Sequence, residues 1–92
     1  MDLSRKLTYI NKDLLSKGVK LRIEQRGQRL NIRGPLPSRK PSEPKSIQRI
    51  SLHLEANPQG LEEAQKLTKL VHFQLECDQF DWKNWSHDQR KT

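Results

Sequence analysis

Arginine recurs on every second residue of three short stretches, with aliphatic residues between: Lys20-Leu21-Arg22-Ile23-Glu24, Arg29-Leu30-Asn31-Ile32-Arg33 and Arg49-Ile50-Ser51-Leu52-His53-Leu54. A guanidinium keeps its charge at any physiological pH and presents a planar fork of donors that matches phosphate oxygens and the edge of guanine. Asn31 adds an amide with the donor and acceptor pair that reads adenine. The chemistry open to this set is recognition of an anion rather than bond making. Residues for bond making are missing in the required arrangements. His53, His72 and His87 are scattered, Cys77 has no partner at zinc spacing, and no glycine-rich phosphate loop occurs. On these grounds His72 is a boundary residue of a helix, Cys77 a small apolar filler, and no catalytic, metal or cofactor site is expected in these residues.

The alternation that spaces the arginines is also the period of a β-strand. Side chains along a strand point to opposite faces, so Leu21, Ile23, Leu30, Ile32, Ile50, Leu52 and Leu54 share one side. Arg22, Arg29, Asn31, Arg33, Arg49, Ser51 and His53 share the other. One face suits a core and the other an anion, provided that Arg22, Arg33 and Arg49 project together and are not neutralised by acids. The plainer alternative is a solvated sheet face with no ligand. A two-residue turn at Arg26-Gly27 predicts a first hairpin with Gln25 opposite Gln28, Glu24 opposite Arg29, Ile23 opposite Leu30, Arg22 opposite Asn31 and Leu21 opposite Ile32. In that register Glu24 orients Arg29 across the ladder or accepts from a cytosine amine.

Residues 34–46 hold four prolines and three cations, Arg39, Lys40 and Lys45. Proline supplies no ladder donor, so the segment is expected to be an exposed loop, either an incidental connection or a flexible arm that tracks a phosphate backbone. Asn57-Pro58 then forms a helix start, with Asn57 as cap, Pro58 at the first helical position and Glu62 and Glu63 near the positive end of the dipole. Leu61, Ala64, Leu67, Val71 and Leu75 follow at helical spacing and can cover the aliphatic face of the sheet. Leu3, Leu7, Ile10 and Leu14 form an earlier stripe that Gly18 terminates. Near the end, Trp82 and Trp85 are expected to pack rather than stack on bases, because Asp78 and Asp81 oppose a phosphate backbone. The predicted class is α+β: a three-stranded antiparallel sheet packed on a C-terminal helix, with an additional N-terminal helix. The organisation read from the chain is an amphipathic helix over 1–18, a β-β-β-α unit over 19–79 and an aromatic segment with a polar tail over 80–92, leading to further domains.

Composition sets the bounds. Ninety-two residues with 32% hydrophobic content and a mean hydropathy of −1.00 permit one small domain with a spare core. A lone cysteine and the lack of a long apolar run point to a cytoplasmic protein without a membrane span. The net charge is +7, and it is unevenly placed. Residues 1–18 balance to +2, residues 19–54 to +7 and residues 55–92 to −2. The whole excess coincides with the arginine strands and their loop, which is the footprint expected for nucleic acid.

Leu21 to Gly34, the proline-bearing loop, Gln48-Arg49-Ile50-Ser51-Leu52, Gly60-Leu61-Glu62-Glu63-Ala64 and Phe80-Asp81-Trp82 together resemble the amino-terminal region of phage-type tyrosine recombinases (integrases). The likeness spans roughly residues 19 to 85. It implies an arm-type DNA-binding domain that lays the polar face of its sheet in the major groove. The reading face carried over by position is Arg22, Arg26, Arg29, Asn31, Arg33, Arg49, Ser51 and His53, with Arg39 and Lys40 in the loop. It also implies double-stranded DNA as partner, other recombinase protomers or accessory recombination proteins as further partners, and a larger recombinase that supplies the catalysis for DNA integration. His87-Asp88-Gln89-Arg90 matches the spacing of that family's His-x-x-Arg element, but no tyrosine follows it and the rest of a catalytic domain is absent here. Two rivals stand beside this reading. A double-stranded RNA-binding domain has the same element order but grips phosphates with a basic start to its last helix, where this chain has Glu62 and Glu63. A protein-interaction module would use Leu3, Leu7, Ile10 and the tryptophans.

Overall fold

The period-two stretches become strands because their aliphatic members all reach one core. The computed structural model describes residues 3–38 and 42–85. In chain order these form α1 (Leu3–Ser16), β1 (Arg22–Arg26), β2 (Arg29–Leu36), β3 (Ser46–Glu55), α2 (Pro58–Glu76) and a short 3-10 turn, η1 (Trp82–Trp85). The sheet is antiparallel throughout with order β1-β2-β3. The fold is the expected α+β arrangement.

Ile23, Leu30, Ile32, Leu36, Ile50 and Leu52 are buried on one side of the sheet against Leu61, Ala64 and Val71 of α2 and Leu14 of α1. Each fully buried aliphatic chain contributes about 1.5–3 kcal/mol, so a chain this polar depends on nearly every member. Leu3, Leu7 and Ile10 are partly buried against the same core. The first stripe is thus used inside this unit. The helix α2 begins as expected: the Asn57 side chain accepts from the Gly60 N–H at 2.7 Å and Pro58 opens the helix. Glu62 and Glu63 fall beyond the first turn, so their interaction with the dipole is weak. The close seating of α2 on the end of β3 needs Gly60, since a Cβ there would run into the Glu55 carbonyl.

Two expectations about the sheet are corrected. The first hairpin turns at Gly27-Gln28, not at Arg26-Gly27, giving Arg26 opposite Arg29, Gln25 opposite Leu30, Glu24 opposite Asn31, Ile23 opposite Ile32 and Arg22 opposite Arg33. Gly27 has φ of +59°, while Gln28 is not at positive φ. That combination places glycine first, as a type II′ turn requires, whereas the expected turn would have forced Arg26 into the left-handed region at about 1–2 kcal/mol. The displacement is by two residues along the partner, so both faces keep their polarity. Second, regular structure extends into the proline-rich segment: Gly34, Pro35 and Leu36 belong to β2 and Ser46 to β3. The strand β1 starts only at Arg22, so beyond Arg33 the middle strand has a free edge where proline is tolerated. The alternation of burial in β3 holds as expected, with Ile50 and Leu52 buried, Leu54 half-buried and Arg49, Ser51 and His53 exposed, but its ladder with β2 carries a bulge. Asn31 faces Ser51 but Leu30 faces Leu54, which leaves Leu52 and His53 extra, with His53 at φ +58°. Histidine tolerates this region better than most residues. Two extra residues preserve the parity of the strand, so Leu54 stays on the core side, where it packs half-buried.

The aromatic segment packs, as expected. Trp82 donates to the Pro37 carbonyl at 2.8 Å and meets Phe80 edge-on with ring centroids 5.3 Å apart. Trp85 is buried and donates to Gln74 Oε1 at 3.2 Å. Gln48 donates to the same Pro37 carbonyl at 3.0 Å, so the base of the proline-rich loop is tied to both β3 and the chain end.

Candidate nucleic-acid interface

The two strand registers place the polar side chains in rows that cross the sheet. Arg22, Arg33 and Arg49 stand opposite one another on the three strands, and the next row is Glu24, Asn31 and Ser51. A third row holds Arg26, Arg29 and Glu55. Arg22, Arg26, Arg29, Arg49, Ser51 and His53 are exposed and Arg33 is half-exposed. The structure thus brings eight of the expected site residues onto one sheet face. Arg39 and Lys40 lie outside the described residues, as does the His87 to Arg90 element.

Glu24 is the acid in the middle of this surface, with Glu55 at its edge, and its role differs from the expected one. It faces Asn31 instead of Arg29, and its carboxylate sits among three guanidinium groups. Arg49 Nε donates to Oε2 at 2.7 Å, with Arg26 at 3.8 Å from the same oxygen and Arg33 at 3.7 Å from Oε1. One carboxylate cannot offset this many cations. Among the described residues, Arg22 and Arg29 have no ion-pair partner. The face therefore keeps a net positive charge while Glu24 fixes the fan of its arginines.

Asn31 occupies the middle of the face on the middle strand. It is 8% exposed, and among the described residues its side-chain amide has no hydrogen-bond partner. An amide held this way is about 1–3 kcal/mol short of a paired one. Ligand edges that supply a donor and an acceptor would meet it directly once the flanking arginines engage them.

Sequence reasoning missed Asn11. Its Nδ2 donates to the Ile23 carbonyl at 2.9 Å and its Oδ1 accepts from the Ile23 N–H at 2.8 Å, so α1 closes the outer edge of β1 the way a further strand would. A signal existed. Ser4, Thr8, Asn11 and Leu15 repeat one residue behind the apolar stripe, marking the helix face that borders the sheet.

Residues 1–91 match the family described as the XisA/XisC N-terminal domain. The chain belongs to that family. No curated protein and no solved structure matches it. The XisA/XisC N-terminal domain is recombination-related and supports a DNA-binding role in recombination or excision. This agrees with the resemblance to recombinase arm domains at its coarser level, a recombination-associated DNA-binding unit. No helix among the described residues is long and apolar enough to cross a membrane.

Proposed function

We propose that this XisA/XisC N-terminal domain binds double-stranded DNA sequence-specifically through the polar face of its three-stranded sheet, laid in the major groove. It performs no chemistry itself and serves site-specific recombination by a larger tyrosine recombinase. The observation that carries the reading is the row Arg22, Arg33, Arg49, three guanidinium groups in register across three strands. Like charges set directly opposite one another oppose sheet formation, and a row of phosphates or guanine edges relieves that repulsion. Arg22, Arg29, Arg33 and Arg49 supply phosphate and guanine contacts, while Asn31 pairs with adenine. Ser51 and His53 extend the same face at the β3 bulge.

The reading is tested by an NMR titration with a panel of short duplexes. Shift changes are expected on β1, β2 and β3, with one duplex preferred. Neutralising six phosphates corresponds to a log-log slope with salt of about −5. Changes confined to α1 and α2 would remove the sheet as the reading surface, and equal binding of duplex RNA in competition would remove double-stranded DNA as the specific partner. The acids Glu62 and Glu63 near the start of α2 favour DNA over RNA, because they occupy the place where an RNA-binding relative of this topology grips phosphates.

A further inference from the structure

A groove of about 670 Å³ runs between α1 and the outer edge of β1, and it opens onto the polar face because Arg22 and Arg33 line both. Lys12 of α1 and Lys20 of the connection into β1 also line it. Glu24 is the acid in the lining, and it is already engaged by Arg49. Lys12, Lys20 and Arg22 are exposed and have no ion-pair partner among the described residues. The groove therefore has a largely apolar floor, with Leu7, Leu15, Val19 and Leu21 in its lining, and a net positive charge from four cations against one engaged acid. It is also closed to the usual occupant of a sheet edge. A peptide adding to β1 would need the outward N–H and C=O of Ile23, and Asn11 occupies both.

We propose that this groove holds one sugar-phosphate backbone of the duplex whose bases face the sheet. The inference rests on the DNA reading above and adds α1 to the interface. A sheet lying in the major groove has a backbone beside each outer strand, and here the neighbour of β1 on that side is the Lys12 and Lys20 wall. The helix thereby acts as a phosphate clamp, with Arg22 and Arg33 joining backbone contact to base contact.

The test is a salt series on the full chain carrying Lys12→Ala and Lys20→Ala, with a random-sequence duplex and the best-bound duplex of the panel as probes. Two lost phosphate contacts lower the magnitude of the slope by about 2, and affinity falls by the same factor on both probes. Restoring charge with Lys12→Arg and Lys20→Arg returns the slope. Both lysines are exposed, so an unchanged thermal melt is expected to accompany the loss. An unchanged slope, or a loss limited to the preferred duplex, overturns the clamp. Arg29→Ala and Arg49→Ala, which lie on the polar face outside the groove lining, measured in parallel, separate the two ideas. If these weaken binding and the lysine variant does not, the clamp alone falls. If the lysine variant lowers the slope and the arginine variants do nothing, α1 contacts a backbone but the sheet reading fails, and the placement of that backbone beside bases facing the sheet falls with it.

Discussion

Replacing Glu24 by Gln keeps the shape of the side chain and removes the charge that holds the arginine fan. The Arg49 contact at 2.7 Å is 45% exposed on the arginine side and 21% on the glutamate side. After solvent screening such a pair contributes about 0.2–1 kcal/mol. Removing it also leaves Arg22, Arg33 and Arg49 adjacent with no acid between them, a repulsion of similar size for each directly opposed pair. The expected loss of stability is about 1–2 kcal/mol, read as a fall in melting temperature of about 4–8 °C for each kcal/mol. Because the loss is repulsive, raising salt through the range where the Debye length drops below about 10 Å should recover part of it. Binding should move the other way. One added positive charge on the face steepens the salt slope by about 0.9, so Glu24→Gln binds duplex more tightly than the parent at low salt while being the less stable protein. Had Glu24 been a reader of cytosine, the variant would lose about 1–3 kcal/mol on the preferred duplex and nothing on a random one. A variant with the parent's melt and the parent's slope would refute the claim that Glu24 organises the arginines.

Three further outcomes are expected. Arg33→Ala or Arg49→Ala should weaken duplex binding by about 1–3 kcal/mol in a fluorescence titration, with the amide spectrum of the core retained. Asn11→Ala leaves the outward N–H and C=O of Ile23 without their partner and should lower stability by about 1–3 kcal/mol in a urea titration; an unchanged midpoint would mean that α1 does not hold the β1 edge. Gly60→Ala forces a Cβ against the Glu55 carbonyl and should be destabilising by about 1–3 kcal/mol, visible as a reduced thermal midpoint without any change in the salt slope of whatever binding remains.

The faces of the sheet and the start of α2 were legible because each rests on a short-range rule: alternation for the strands, and a cap followed by proline for the helix. The hairpin register was not, because Arg26-Gly27 and Gly27-Gln28 preserve the same polarity on both faces, and only the backbone demand for glycine at the first turn position separates them. The extension of β2 through Pro35 escaped notice for a related reason. Proline lacks a donor on only one side of a strand; Pro35 pairs with Ile47 of β3, and on its other side β1, which starts at Arg22, does not reach it. The lining shared by Lys12 and Arg33 was not legible, because the groove joins α1 to the sheet and those residues lie on separate elements far apart in sequence. The role of Glu24 was half legible: its acid character in a basic face stood out, but its partners depended on the register.

The pattern of like charges is the strongest internal argument that this face meets a ligand. A sheet selected for stability alone would alternate signs across its rows, since opposite charges in register stabilise by roughly 0.2–1 kcal/mol and like charges do the reverse. Here the Arg22, Arg33, Arg49 row crosses all three strands with the single Glu24 carboxylate of the next row set against Arg33 and Arg49, and that next row buries an amide that finds no partner among the described residues. The packing side of the same strands, by contrast, is apolar at Ile23, Leu30, Ile32, Ile50 and Leu52, and α2 is capped and seated without conflict. Departures of this kind on one sheet face, in a protein with little core to spare, are the pattern expected where stability is given up for binding. A polyanion with donors and acceptors along its groove reverses both penalties at once, because its phosphates neutralise the row and its base edges pair with the amide.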